Sequence, residues 1–103
     1  MTTPLRWQSS GAGRAALSGA LTFATAADAY ALGVHALETD AADSMIVDCK
    51  AVSLADGAGL AVLLAWMAQA QAQGRGRRLR YENLPDALRR IARISEVETF
   101  LCS

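Results

Sequence analysis

At 103 residues the chain has room for one hydrophobic core and not for two, so residues 1–103 are expected to form a single domain. Its ten basic and ten acidic side chains cancel, which removes the global field that would draw in nucleic acid or an anionic membrane. Hydrophobic residues make up 52% of the sequence but aromatic ones only 6%, so the core must be built mostly of Ala, Leu and Val, a composition that suits helices packed closely on a small sheet.

The first residues, Met1 to Trp7, lack the apolar run of a secretory signal, so export is not supported and a cytosolic location is expected. Leu5 to Ser9 and Arg14 to Ser18 read as short strands joined at Ser10-Gly11-Ala12-Gly13, where glycine supplies the positive backbone angles of a tight turn. The string Gly11 to Ala16 superficially matches a dinucleotide-binding fingerprint. That motif must follow a strand and open a helix, whereas here a second strand-like segment follows, so no nucleotide site or other cofactor is expected from it.

From Thr25 or Ala26 to about Leu37, the residues Ala29, Leu32 and Ala36 recur near helical spacing, with Thr22 or Thr25 available as N-cap. His35 lies within this helix with no serine or acid partner nearby in sequence, which marks a surface or packing residue. A polar, acidic loop from Thr39 to Ser44 leads into Met45-Ile46-Val47-Asp48-Cys49, a buried strand.

A second helix is expected from Gly57 to about Gln73, with Leu60, Leu63, Leu64 and Met67 as its core stripe. Val62, Trp66, Gln69 and Gln73 project from another side, so Trp66 either packs on a neighbouring helix or belongs to an exposed interaction patch. The near-apolar run from Gly57 to Ala68 is about half the ~20 residues needed to cross a bilayer, so any membrane contact must be indirect. Gly74-Arg75-Gly76 stops the helix, Leu79 and Tyr81 alternate with Arg78, Arg80 and Glu82 in a half-buried strand, and Pro85 starts a third helix with Leu88, Ile91, Ala92 and Ser95 inward. The order strand, strand, helix, strand, helix, strand, helix predicts an α/β domain with a small mixed four-stranded sheet and three to four helices.

The start of the second helix carries the main functional signal. Glycine costs about 1 kcal/mol relative to alanine in a helix, yet Gly57 and Gly59 both fall in the first turn. A bare backbone there favours close approach of another element or chain. Asp56 is placed to cap the helix, and its charge argues against a phosphate site at the same amides. There is no Ser/His/Asp set, no pair of catalytic carboxylates and no cluster at metal-ligand spacing, so neither an enzyme nor a metal site is expected. Cys49 and Cys102 read as free thiols.

Three strings resemble the STAS family, the sulfate-transporter and anti-anti-sigma-factor domain: Leu17 to Thr25, Val52 to Leu64, and Glu82 to Ser95. Within it, Leu21-Thr22-Phe23 and Asn83-Leu84-Pro85 are most similar to the small STAS subunit of Mla phospholipid-transport ABC systems. That resemblance implies a STAS-like fold and a non-catalytic, cytoplasmic subunit that binds the transporter's ATPase and is peripheral to the inner membrane through it. The expected partner-binding residues are Phe23, Asp56, Gly57, Ala58, Gly59, Val62 and Trp66. In anti-anti-sigma proteins two hydroxyl residues follow the aspartate and the second is phosphorylated. Gly57 and Ala58 stand at those positions here, so no phosphorylation is expected at the loop. Mla-type subunits carry Ser or Thr and then Ala, which Ala58 matches and Gly57 does not.

The same-fold alternative is a partner-switching regulator of anti-anti-sigma type that lacks the phosphorylatable serine. The charges are segregated, with six acids against Lys50 between Asp28 and Asp56, and seven arginines against Glu82 and Asp86 between Arg75 and Arg93. Arg75, Arg77, Arg78 and Arg80 therefore raise nucleic-acid binding as another class of function. With Tyr81 as the sole stacking platform and no net charge, a solvated edge strand whose charges prevent sheet-to-sheet association is the favoured reading.

Overall fold

A computed structural model describes residues 4–11, 13–40, 42–72 and 78–96. The element order is β1 (Arg6–Gly11), β2 (Arg14–Leu21), α1 (Ala26–Thr39), β3 (Ser44–Ala55), α2 (Gly57–Ala72), β4 (Arg78–Glu82) and α3 (Asp86–Ile94). The strands lie in the order β1-β2-β3-β4. β1 is antiparallel to β2, while β2, β3 and β4 run parallel, so the expected mixed four-stranded sheet is present.

Gly11 and Gly13 have φ of +133° and +76° at the hairpin between β1 and β2, the left-handed backbone that glycine adopts freely. β2 follows them rather than a helix, which removes the structural context of the dinucleotide fingerprint. The connections β2-α1-β3 and β3-α2-β4 step in the same direction across the sheet, and right-handed crossovers then put α1 and α2 on one face. Ala15, Leu17, Met45, Val47, Cys49, Leu79 and Tyr81 are buried under the helices, while Arg14, Lys50, Arg78, Arg80 and Glu82 are exposed. Arg14 bridges to Glu82 at 3.3 Å, a pair solvated enough to contribute little.

β3 is longer than the Met45–Cys49 strand that the apolar run suggests. It continues to Ala55 by parallel pairing with Ser18–Leu21. The register jumps twice, from Ala16↔Asp48 to Ser18↔Ala51 and from Gly19↔Val52 to Ala20↔Leu54, so β3 carries two extra residues. The Asp48 carboxylate accepts the Lys50 backbone N–H at 2.8 Å beside the first of these irregularities and the Asn83 side-chain amide at 3.1 Å. Those two donors hold the Asp48 carboxyl below its usual range.

α2 is apolar over most of its surface because α1, α3, β3 and β4 all pack against it, leaving Gly57, Ala61, Ala68, Gln71 and Ala72 exposed. Leu60 and Leu63 are buried as expected, and Leu64 and Met67 pack against the core half-buried. Val62 and Trp66 are also buried, at 6% and 0% exposure, which corrects their placement on an interaction surface. Trp66 packs on the neighbouring helix. Its indole Nε1 donates to the Tyr30 carbonyl at 3.1 Å, its ring meets Trp7 edge to face at 5.2 Å, and Gly33 leaves room for it, since a Cβ there would overlap the indole.

This tryptophan also sets the buried face of α1. The inward stripe is Ala29, Gly33 and Leu37, one residue round from the expected Leu32 and Ala36, because only a glycine lets the helix close over the indole. Leu32 is 36% exposed as a result. Tyr81 reaches under α2 and donates to the Leu63 carbonyl at 2.6 Å, and burial pushes its phenol well above the ordinary pKa. In α3, Pro85 occupies the N-cap, Leu88 and Ala92 are buried, Ile91 is half-buried and Ser95 is exposed at the C-cap rather than inward. The expected stop at Gly74-Arg75-Gly76, the end of the second helix at Gln73, and Cys102 lie outside the described residues.

Candidate functional site

The first turn of α2 is held against the end of β2 by one side chain. Asp56 Oδ1 accepts the Gly59 N–H at 3.1 Å, the N3 bond of a capping aspartate, and Leu60 N–H closes the first helical turn onto the Asp56 carbonyl at 3.1 Å. The other carboxylate oxygen, Oδ2, accepts the Phe23 backbone N–H at 3.1 Å, and Asp56 N–H donates to the Leu21 carbonyl at 3.3 Å. Asp56 therefore does more than cap a helix: it ties the β2–α1 turn to the β3–α2 junction. A cap of this kind is worth about 1 kcal/mol by itself.

The turn that presents Phe23 is fixed from within. Thr25 Oγ1 donates to the Ala20 carbonyl at 2.8 Å and accepts the Thr22 N–H at 3.0 Å, while Thr25 N–H bonds the Thr22 carbonyl at 3.0 Å. Thr25 is thus the N-cap residue of α1 by position, but its hydroxyl is spent on the turn and not on the helix amides. The side chain at the tip of this rigid turn is Phe23, 84% exposed. An aromatic ring held in water on an ordered turn gains nothing for the monomer, since burial is what would stabilise it.

Leu54, 62% exposed, adds a second large apolar side chain at the same end of the sheet. It pairs with Ala20 two residues before Asp56. Strict alternation from buried Val52 would place Leu54 inside, but the extra residue between them turns it outward. Alternation counted from the inward Met45, Val47 and Cys49 also puts Leu54 outward, because the two irregularities in β3 cancel by the time it is reached.

The two glycines of the first turn separate in role. A Cβ on Gly59 would overlap the backbone carbonyl oxygen of Leu21, so Gly59 is bare because β2 of the same chain approaches it. Gly57 is exposed with nothing within 4 Å of such a Cβ, and Ala58 is half-buried. Of the seven residues expected at the interface, Phe23, Asp56, Gly57 and Ala58 lie together near the surface, Gly59 lies beneath them, and Val62 and Trp66 are in the core.

Among the described residues, no three His, Cys, Asp or Glu side chains are grouped to hold a metal ion, and no helix is long and apolar enough to cross a membrane. His35 is exposed on α1. Arg78 and Arg80 are exposed on edge strand β4, and Arg75 and Arg77 lie outside the described residues.

The fold is similar to that of the anti-sigma factor antagonist SpoIIAA in its unphosphorylated form, with a TM-score of 0.71 at 16% identity over 92% of this chain and 83% of that one. It is likewise similar to the phosphorylated form of SpoIIAA, the Bacillus cell fate determinant, with a TM-score of 0.68 at 16% identity over 96% and 88% of the two chains. At that identity the likeness speaks for the fold alone. No curated protein matches the sequence. A family model described as "Mlab, STAS domain" matches residues 7–102. With nearly the whole sequence matched by that one family and the sheet and helices arranged as in SpoIIAA, the chain belongs to the Mlab-type STAS domain family.

Proposed function

We propose that the protein is a non-catalytic interaction subunit that binds and supports the ATPase of a phospholipid-transport ABC system, in the cytoplasm and peripheral to the inner membrane through that partner. The Mlab description of the matching family points in this direction. The observation that carries the docking site is Phe23: a ring 84% exposed on a turn pinned by Thr25 and Asp56. Rigid, exposed aromatic anchors are what protein interfaces bury at their centres.

Leu54 and the open first turn at Gly57 and Ala58 extend this surface, while Asp56 keeps its two halves in register. With Gly57 and Ala58 bearing no hydroxyl, control of docking by phosphorylation at these two positions is chemically closed.

Affinity purification of the tagged full chain from its native cell, followed by identification of what co-purifies, tests the proposal. An ABC-transporter ATPase should be recovered, and Gly57→Trp should abolish its recovery while the protein still folds, because the added ring points into open space. Recovery of an anti-sigma factor or kinase instead would favour the partner-switching alternative. Full ATPase recovery by folded Gly57→Trp and Phe23→Ala variants would move the interface elsewhere.

A further inference from the structure

α1 and α2 share one face of the sheet and α3 packs on α2, so no described helix covers the other face. Parallel strands are ordinarily covered on both sides. The bare face is built from alternate residues that stand in register across the strands. One row runs Arg14, Ile46, Arg80, and the next runs Gln8, Ala16, Asp48, Glu82. Arg78 stands opposite Ser44 on the outer side of the first row, and Arg6 stands opposite Ser18 beyond the second. With Lys50 beside Asp48, five cations share this face with two carboxylates, although the whole chain is neutral.

Both carboxylates are already engaged. Asp48 accepts the Lys50 N–H and the Asn83 side-chain amide, and Glu82 pairs with Arg14. Arg6, Arg78 and Arg80 have no carboxylate partner among the described residues. Ile46 is half-buried between Arg14 and Arg80, whose backbones lie about 10 Å apart at the usual strand spacing.

We infer that this face, centred on Arg14, Arg78 and Arg80 around Ile46, docks an acidic segment of a protein partner. Charge selects that occupant: the guanidinium forks match carboxylates, and Ile46 supplies a small apolar centre inside the charged rim. Nucleic acid and a bilayer fit less well. No described aromatic side chain lies on the face to stack a base, since Trp7 and Tyr81 point to the helical side and Phe23, Tyr30 and Trp66 belong to the β2–α1 turn and the helices. Ile46, recessed between arginines, gives a bilayer no side chain to insert. Arg14, Ser44 and Arg78 begin the parallel strands β2, β3 and β4, whereas Phe23 and Asp56 follow the ends of β2 and β3. The two surfaces therefore lie at opposite ends of the strands and can be occupied independently.

Fluorescence anisotropy of a short labelled peptide alternating glutamate and leucine, titrated with the purified full chain at low salt, tests this. The peptide should bind, its counterpart with lysine for glutamate should not, and binding should weaken as salt is raised. Arg78→Gln with Arg80→Gln should weaken it by about tenfold or more, with the melting temperature little changed because both side chains are exposed. Arg89→Gln with Arg90→Gln removes the same charge from exposed positions on α3 and should leave binding unchanged. Equal weakening by the two pairs would mean attraction to net charge and not to this face, and overturns the inference. So does a wild-type chain that ignores the acidic peptide, or one that binds phosphatidylglycerol vesicles or a single-stranded oligonucleotide more tightly than the peptide.

Discussion

Alanine at Gly57 and alanine at Gly59 should have opposite effects, although both replace a glycine in the first turn of one helix. At Gly57 the methyl group meets nothing within 4 Å, so the gain is that of a better helix former, up to about 1 kcal/mol. At Gly59 the same gain is opposed by overlap with the Leu21 carbonyl, a backbone atom that cannot swing away like a side-chain tip. Relieving it moves the start of α2 off β2, and overpacking of this kind costs about 1–3 kcal/mol. The shift also stretches the bonds from Asp56 N–H to Leu21 and from Gly59 N–H to Asp56, putting a cap worth about 1 kcal/mol at risk.

The net expectation is a loss of about 2 kcal/mol for Gly59→Ala, which in a domain of this size lowers Tm by roughly 8–16 °C. Thermal melts followed by circular dichroism on the two variants read the difference directly. Partner recovery should fall for Gly59→Ala through displacement of the Asp56 bridge and survive in Gly57→Ala, whose methyl is small. Equal melting temperatures for Gly59→Ala and wild type would refute the claim that Gly59 is bare because its own sheet touches it.

Phe23→Ala and Leu54→Ala remove exposed side chains, so each should change stability by no more than about 0.5 kcal/mol; partner binding measured by calorimetry should weaken at least tenfold, and undiminished affinity in both would remove them from the interface. Gly33→Ala drives a methyl group into the Trp66 ring and should cost about 1–3 kcal/mol in denaturant unfolding, with a red-shifted tryptophan emission as the indole is pushed out; an unaltered spectrum and midpoint would contradict the packing described. Tyr81 keeps its proton in the folded state at a pH where the unfolded chain loses it, so above about pH 10 the unfolded state binds fewer protons and stability falls as pH rises. Tyr81→Phe should make that alkaline decline shallower, at a cost near neutrality of about 1 kcal/mol for the lost bond to Leu63, and an identical slope above pH 10 in both proteins would sink the assignment.

Element order and fold class were legible in the sequence because they follow from local chemistry. Glycines at Gly11 and Gly13 force a turn, helical spacing from Ala26 and from Gly57 forces helices, and Pro85 with Asp86 opens α3. Asp56 was legible as a cap for the same reason, since capping involves only the neighbouring turn. Its second bond, to the Phe23 amide 33 residues away, was not, because nothing in either segment records that the other lies beside it.

Which face each helix buries was decided by the tertiary structure. Trp66 is the largest of the fully buried side chains, and it fits only over Gly33, so the two together turn α1 by one residue and draw Trp66 and Val62 inward. The second extra residue in β3, between Val52 and Leu54, did the same for Leu54, reversing the alternation that buried Val52 would have continued. The sequence likewise marks Gly57 and Gly59 as equally costly to a helix, and only the position of the Leu21 carbonyl separates the one that the fold requires from the one that faces open space.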